Sequence, residues 1–145
     1  MCVFCKIIEG DIPSYKVYED NDVLAFLDIS QVTIGHTLVI PKKHVENVFE
    51  LDQDTASVLF SKIPLIANKL KKALNITDLN ILNNNGKVAY QSVFHYHIHL
   101  LPRYENDNFS INFPSNKLSE NEFKELMNNI KNAWKAGWIY PAFIL

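Results

Sequence analysis

The sequence predicts an α+β fold with a largely antiparallel sheet. Short strand-like segments joined by tight turns come first, one long segment of helical period interrupts them, and a second helical segment follows the last strand. Tyr15 to Glu19, Val23 to Asp28 and Thr37 to Ile40 read as strands, with Asp20-Asn21 as the turn between the first two. From Asp54 onward Val58, Leu59, Ile63, Ile66, Ala67, Leu70 and Leu74 recur at helical spacing, so one amphipathic helix is predicted there, with a kink at Pro64. Leu79 to Leu82 is a fourth strand, Asn83-Asn84-Asn85-Gly86 a turn, and a fifth strand starts at His95 and ends near Pro102. Residues 104–118 are polar and lack a clear period, although Phe109, Ile111 and Phe113 alternate; they read as a loop or a flap. Ser119 and Glu122 form a capping box ahead of Phe123, Leu126, Ile130 and Trp134, which predicts a C-terminal helix over 119–135.

Composition bounds the function. At 145 residues, 48% hydrophobic and 21% charged, the chain can bury one core, so residues 1–145 read as a single domain. A net charge of −2 and a single arginine, Arg103, give no broad basic surface, which argues against nucleic acid as a partner. The N-terminus lacks the zones of a signal peptide and no apolar run approaches a bilayer span, so no membrane partner and a cytoplasmic location are expected. The apolar tail over 136–145 is too short to span a membrane; it could pack across a dimer or cover a pocket.

Chemistry concentrates in His95-Tyr96-His97-Ile98-His99-Leu100-Leu101, which holds three of the five histidines at alternate positions. In an extended strand all three imidazoles share one face while Tyr96, Ile98 and Leu100 line the other, with roots roughly 6 to 7 Å apart. Three buried imidazoles without a task would leave six ring nitrogens seeking partners, at roughly 1 to 3 kcal/mol for each left unmet. Catalysis is the better reading, ahead of a purely structural or all-metal role. Cys2 and Cys5 form a Cys-x-x-Cys pair, a spacing that points to metal or redox chemistry; with only one residue before it, the pair does not follow a strand as a thioredoxin-type motif does. A closed tetrahedral zinc site needs two further ligands, for which histidines are the candidates.

His95 to Leu101 matches the pattern His-φ-His-φ-His-φ-φ, and with it the chain resembles the histidine-triad (HIT) nucleotide-binding superfamily. Cys2 to Ile8, Ile12-Pro13, Asp28-Ile29, Gly35 to His44, Asn84 and Gln91-Ser92-Val93 fall in the same order as that family's motifs, so the resemblance covers roughly residues 2–103. It implies a HIT-like fold with about five strands, one long helix and a C-terminal helix, in a homodimer joined by the long helix and an edge strand. It also implies a structural Zn2+ on Cys2, Cys5, His44 and His95.

The resemblance places the nucleophile at His97. A neutral imidazole attacks an α-phosphate through one ring nitrogen when the other gives its proton to an oxygen acceptor, and water then hydrolyses the nucleotidyl-histidine. His99, Gln91 and Ser92 match positions that donate to phosphate oxygens, and His99 could also protonate the leaving group; His36 would support the cluster. Asp28 matches the ribose-binding carboxylate and Asn84 a position near the phosphate. Phe4, Ile7, Ile8, Phe26 and Ile29 could form an apolar slot for the base, though each taken alone reads first as ordinary core. The expected function is hydrolysis or nucleotidyl transfer at the α-phosphate of a purine nucleotide conjugate, either a nucleoside phosphoramidate or a diadenosine polyphosphate; Leu101-Pro102-Arg103 looks more like the second branch. The alternative is a nucleotide-binding regulatory or adaptor protein.

Besides the apolar tail, two places depart from the family pattern. Tyr90 stands where glycine is usual beside the phosphate, which predicts an altered pocket or strand entry. The loop Ser30 to Ile34 lacks the usual prolines, with Gln31 and Ile34 in their places, which predicts a more flexible loop.

Overall fold

A computed structural model describes residues 1–135, which form two compact units: 1–109, and a second that begins at Ser110. The expected apolar tail over 136–145 lies outside the described residues.

In the first unit the strand-like segments become β1 (Lys16–Glu19), β2 (Val23–Leu27), β3 (Thr37–Pro41), β4 (Asp78–Leu82) and β5 (Ile98–Arg103). They make one five-stranded sheet in the order β1-β2-β3-β5-β4, with every neighbouring pair antiparallel. The period of two sorts side chains between its faces. Val23, Ala25, Val39, Ile98 and Leu100 point one way and meet Leu59, Ile63, Ile66 and Leu70 of α2 (Gln53–Leu74). Leu24, Phe26, Leu38 and Ile40 point the other way, where Phe4 and Ile7 of α1 (Val3–Glu9) cover them. Both faces are buried, which is why β2 and β3 are almost continuously apolar.

α2 starts at an Asp52 N-cap whose carboxylate accepts from Thr55 N at 2.9 Å, and it runs through Pro64 to an Asn75 C-cap in the left-handed region. α1 is an element beyond those expected. Its cap is the sulfur of Cys2, which accepts from Cys5 N, and Gly10 ends it at φ 86°.

The fifth strand begins three residues later than expected. Backbone groups that would have extended it are engaged elsewhere: Tyr96 N donates to the Val45 carbonyl at 2.6 Å, and the His97 carbonyl accepts from Asn83 Nδ2 at 2.8 Å. His95 and His97 therefore lie just outside the regular ladder. The alternation of faces still holds, with Tyr96 buried among the α2-side residues and Phe4 in contact with His95 and His97 on the other side.

In the second unit α3 spans Glu120–Lys135, and the capping box is formed as expected: Glu122 N donates to Ser119 Oγ at 3.2 Å, and Ser119 N to Glu122 Oε2 at 2.6 Å. Among the described residues no helix is long and apolar enough to cross a membrane.

Candidate active site and metal cluster

The α1 face of the sheet carries two adjoining clusters. At the start of α1, Cys2, Cys5, His44 and His95 each offer one ligand atom, all within 4.8 Å of one another, and could hold a metal ion. His95 Nε2 donates to the Pro41 carbonyl at 2.7 Å; the carbonyl only accepts, so the ring proton sits on Nε2 and the Nδ1 lone pair faces the cluster. That Nδ1 lies 3.5 Å from Cys2 Sγ, 3.7 Å from Cys5 Sγ and 3.2 Å from His44 Nδ1, and His44 Nδ1 lies 3.3 Å from Cys5 Sγ. A tetrahedral zinc with ordinary bond lengths holds nitrogen and sulfur ligands roughly 3.3 to 3.8 Å apart, so the four atoms fit its edges closely. Burial and the neighbouring Cys2 push the Cys5 thiol up to about 11, and a bound cation is what would bring it to the thiolate form.

The second cluster lies beside a cleft of about 400 Å³. The Phe4 ring forms the partition between the clusters, edge-on to His95 at 5.9 Å and to His97 at 5.2 Å. His97 Nδ1 donates to the His95 carbonyl at 2.7 Å, which leaves the Nε2 lone pair free. Burial lowers the His97 pKa against the opposing pull of that carbonyl and of Asp28, so the ring is neutral at pH 7. His36 Nδ1 faces the Ser30 carbonyl at 3.1 Å and, at the longer distance of 3.4 Å, Val32 N; the nearer carbonyl only accepts, which places the proton on Nδ1, so that His36 Nε2 accepts from His99 Nδ1 at 2.8 Å and His99 Nε2 is left free. Burial, with His97 and His36 close by, pulls His99 down to about 4. Burial likewise lowers His36, although Asp28 opposes it. Asp28 Oδ1 accepts from Ser30 N at 2.8 Å, and Oδ2 lies 3.6 Å from His36 Nε2.

Of the residues singled out from the sequence, Phe4, Ile7, Phe26, Asp28, Ile29, Ser92, His97 and His99 line this cleft together. His36 supports it from behind, 2% exposed. Ile8, also on α1, packs against the apolar cluster between that helix and the sheet rather than in the cleft wall. Gln91 and Asn84 are not in the wall either. Gln91 is buried, with its amide nitrogen donating to the Glu46 and Val93 carbonyls and its oxygen accepting from Gly86 N, so it shapes the loop before the histidines. Arg103 also points away: its guanidinium binds Asp107, Asn80 and the Phe109 carbonyl, and it stacks over the Phe109 ring.

The two departures have different outcomes from those expected. Tyr90 does not line the cleft; it is 86% exposed and has φ 65°. Glycine suits the position because the backbone is left-handed, and tyrosine occupies it with the ring in solvent. The loop 30–34 is tied down by Gln31, whose amide nitrogen donates to the Asp28 and His36 carbonyls while its oxygen accepts from Gly35 N. The sequence also gave no pointer to Asn83, which holds the His97 carbonyl, because an Asn-rich run before glycine reads only as a turn. Ile12, Pro13 and Leu38, which lie in the motifs that carry the resemblance but are not among the residues singled out for the site, also join the cleft wall.

A HIT domain model matches residues 9–106. A Bacillus subtilis relative, Protein hit, is 62% identical over 103 residues, 71% of each chain. An adenosine 5'-monophosphoramidase of Schizosaccharomyces pombe is 41% identical over 136 residues, 92% of this chain and 98% of its own. Among solved structures, a Streptococcus mutans protein superposes with a TM-score of 0.89 at 53% identity, covering 92% of this chain and 85% of that one. A Zn-bound histidine triad family protein of Mycobacterium smegmatis superposes with a TM-score of 0.71 at 36% identity, covering 94% and 97%. The five-stranded antiparallel sheet, the histidine run and these matches lead to one conclusion: the chain belongs to the HIT domain family.

Proposed function

We propose that the protein is a hydrolase or nucleotidyl transferase that cleaves purine nucleotide conjugates at the α-phosphate through a nucleotidyl intermediate on His97. The observation that carries this reading is the tautomer of His97: Nδ1 gives its proton to the His95 carbonyl, and Nε2 keeps its lone pair beside an apolar cleft. The base occupies the slot between Phe4, Ile7, Phe26 and Ile29, and the Asp28 carboxylate accepts from the ribose hydroxyls. Ser92, exposed at the mouth, donates to the phosphate. Nε2 attacks phosphorus, the bond to the leaving group breaks, and the leaving group takes a proton. Water then attacks the same phosphorus, the P–Nε2 bond breaks, and a nucleoside monophosphate leaves with His97 neutral again.

His99 is the candidate proton carrier. In the unliganded cleft it is neutral at pH 7, and a phosphate anion beside it offsets the burial that depresses it. Phosphoramidates are the leading substrate class, supported by the monophosphoramidase relative that matches over nearly its whole length.

Zinc is the metal that the Cys2, Cys5, His44 and His95 donor set fits, and its role is structural. It would tie α1 to residues 44 and 95, and the His95 carbonyl in turn orients His97. A second copy of the chain is the proposed protein partner, adding to the β4 edge, where Ile81 and Leu82 are exposed. Sedimentation at micromolar concentration checks this: a monomer there excludes the dimer.

The test of the activity is turnover of an adenosine phosphoramidate beside a diadenosine polyphosphate, by the wild-type protein and by His97→Asn. Release of AMP that disappears in the variant supports the reading. AMP release equal in both proteins, or from neither, removes it.

A further inference from the structure

We propose that Asp28, His36 and His99 form a second metal site, for a divalent first-row transition ion, in the cleft. Their ligand atoms already converge. His36 Nε2 is 2.8 Å from His99 Nδ1 and 3.6 Å from Asp28 Oδ2, and one atom from each lies within 4.8 Å of the others. Two nitrogens about 2.1 Å from an octahedral ion and cis to each other lie about 3.0 Å apart, close to the separation the imidazole pair already has, and the Asp28 carboxylate would move inward to complete the set. Two imidazoles and one carboxylate on one side, with the cleft on the other, leave coordination positions for water or a ligand.

The supporting bonds suit a metal. His36 Nδ1–H is held by the Ser30 carbonyl, which aims the Nε2 lone pair, and Ser30 N occupies Asp28 Oδ1, which leaves Oδ2 as the donor. Asp28 N donates to the His36 carbonyl at 3.0 Å, and Gln31 braces the loop between them, so two of the three ligands form one rigid unit beside β5. On binding, the His99 proton leaves Nδ1 and settles on Nε2 through solvent, with no net proton released. The donor set separates this site from the cysteine cluster: imidazole and carboxylate without thiolate favour Co2+, Ni2+ or Zn2+ over Mg2+ or Ca2+, and bind more weakly than two thiolates with two imidazoles. An ion there would take the Asp28 carboxylate away from ribose; that consequence rests on the proposed function, whereas the binding itself does not.

The experiment is a Co2+ titration of protein already carrying one equivalent of zinc, followed by calorimetry, visible absorption and NMR of the histidine rings. The expected result is one further equivalent bound, with d–d absorption but no thiolate-to-cobalt charge transfer, and with the His36 and His99 ring signals broadened. Asp28→Asn should weaken this equivalent at least about 10-fold and His36→Gln should abolish it, each with the zinc content retained. Saturation at the first equivalent overturns the proposal, and so does a second equivalent that leaves the His36 and His99 signals sharp. The ring signals decide in the wild-type protein even where a variant fails to fold. A protein that binds the second ion but turns over no nucleotide keeps this site and loses the proposed function.

Discussion

The metal-competent cluster and the cleft next to it are built from one short run of histidines, yet they present opposite ring nitrogens. His95 gives its Nε2 proton to Pro41 and turns Nδ1 toward two sulfurs and His44, whereas His97, two residues on, gives its Nδ1 proton to the carbonyl of His95 and keeps Nε2 for the cleft. Residue type does not distinguish the two rings. Which backbone carbonyl each ring meets does, and that is decided by where β3 and the loop before β5 place Pro41 and His95. The Phe4 ring, 6% exposed, keeps the two tasks apart.

The sharpest way to break this contrast is to remove one ring and read out both clusters. His97→Asn is expected to lower kcat for an adenosine phosphoramidate by at least about 10³-fold while leaving bound zinc and thermal stability near wild type. Loss of zinc in that variant would show that the clusters are not separate. The reciprocal change, Cys2→Ser or treatment with a chelator, is expected to lower Tm by roughly 10 °C, because a metal held by this cluster would tie α1 to two distant segments of chain. Activity should fall with it, since the His95 carbonyl that orients His97 belongs to a ligand; full activity in metal-free protein would sever that link.

Asp28→Asn sharpens the cleft side alone. Loss of a charged acceptor for two hydroxyls is expected to raise KM about 10- to 100-fold with kcat changed much less, measured by steady-state kinetics. An acid titration comes next in size. His99 is depressed in the folded protein to about 4 from 6.5, so on acidification the unfolded chain binds its proton first, and stability is lost as pH falls from about 6.5 toward 4. One such group contributes a slope of at most about 1.4 kcal/mol per pH unit. Denaturant melts across that window should show a shallower loss in His99→Gln than in wild type; parallel curves would mean that His99 is not buried as described.

Much of the fold was legible because periodicity survives folding. α2 over Gln53–Leu74 follows from apolar spacing, β2 and β3 from short continuous apolar runs, and the Ser119 and Glu122 capping box marks the start of α3. α1 was not, because seven residues capped by a cysteine sulfur offer no standard N-cap, although Phe4, Ile7 and Ile8 at helical spacing before Gly10 were a usable sign. The late start of β5 was hidden for another reason. The partners that draw Tyr96 and His97 out of the ladder are Val45 and Asn83, and such long-range bonds leave no local pattern. In the site, the four metal-competent residues and the His97, His99 and Asp28 grouping were legible through the family resemblance. The inward turn of Gln91 and the tethering of Arg103 were not, since side-chain direction depends on which carbonyls and carboxylates lie near.

The measurement that tests the nucleotidyl-His97 intermediate most directly is the stereochemical course at phosphorus, with an adenosine thiophosphoramidate of defined configuration hydrolysed in ¹⁸O-water. Two successive in-line displacements, one by His97 and one by water, are expected to give overall retention. Overall inversion would mean that water attacks the substrate directly, and the reading of His97 as nucleophile would be contradicted.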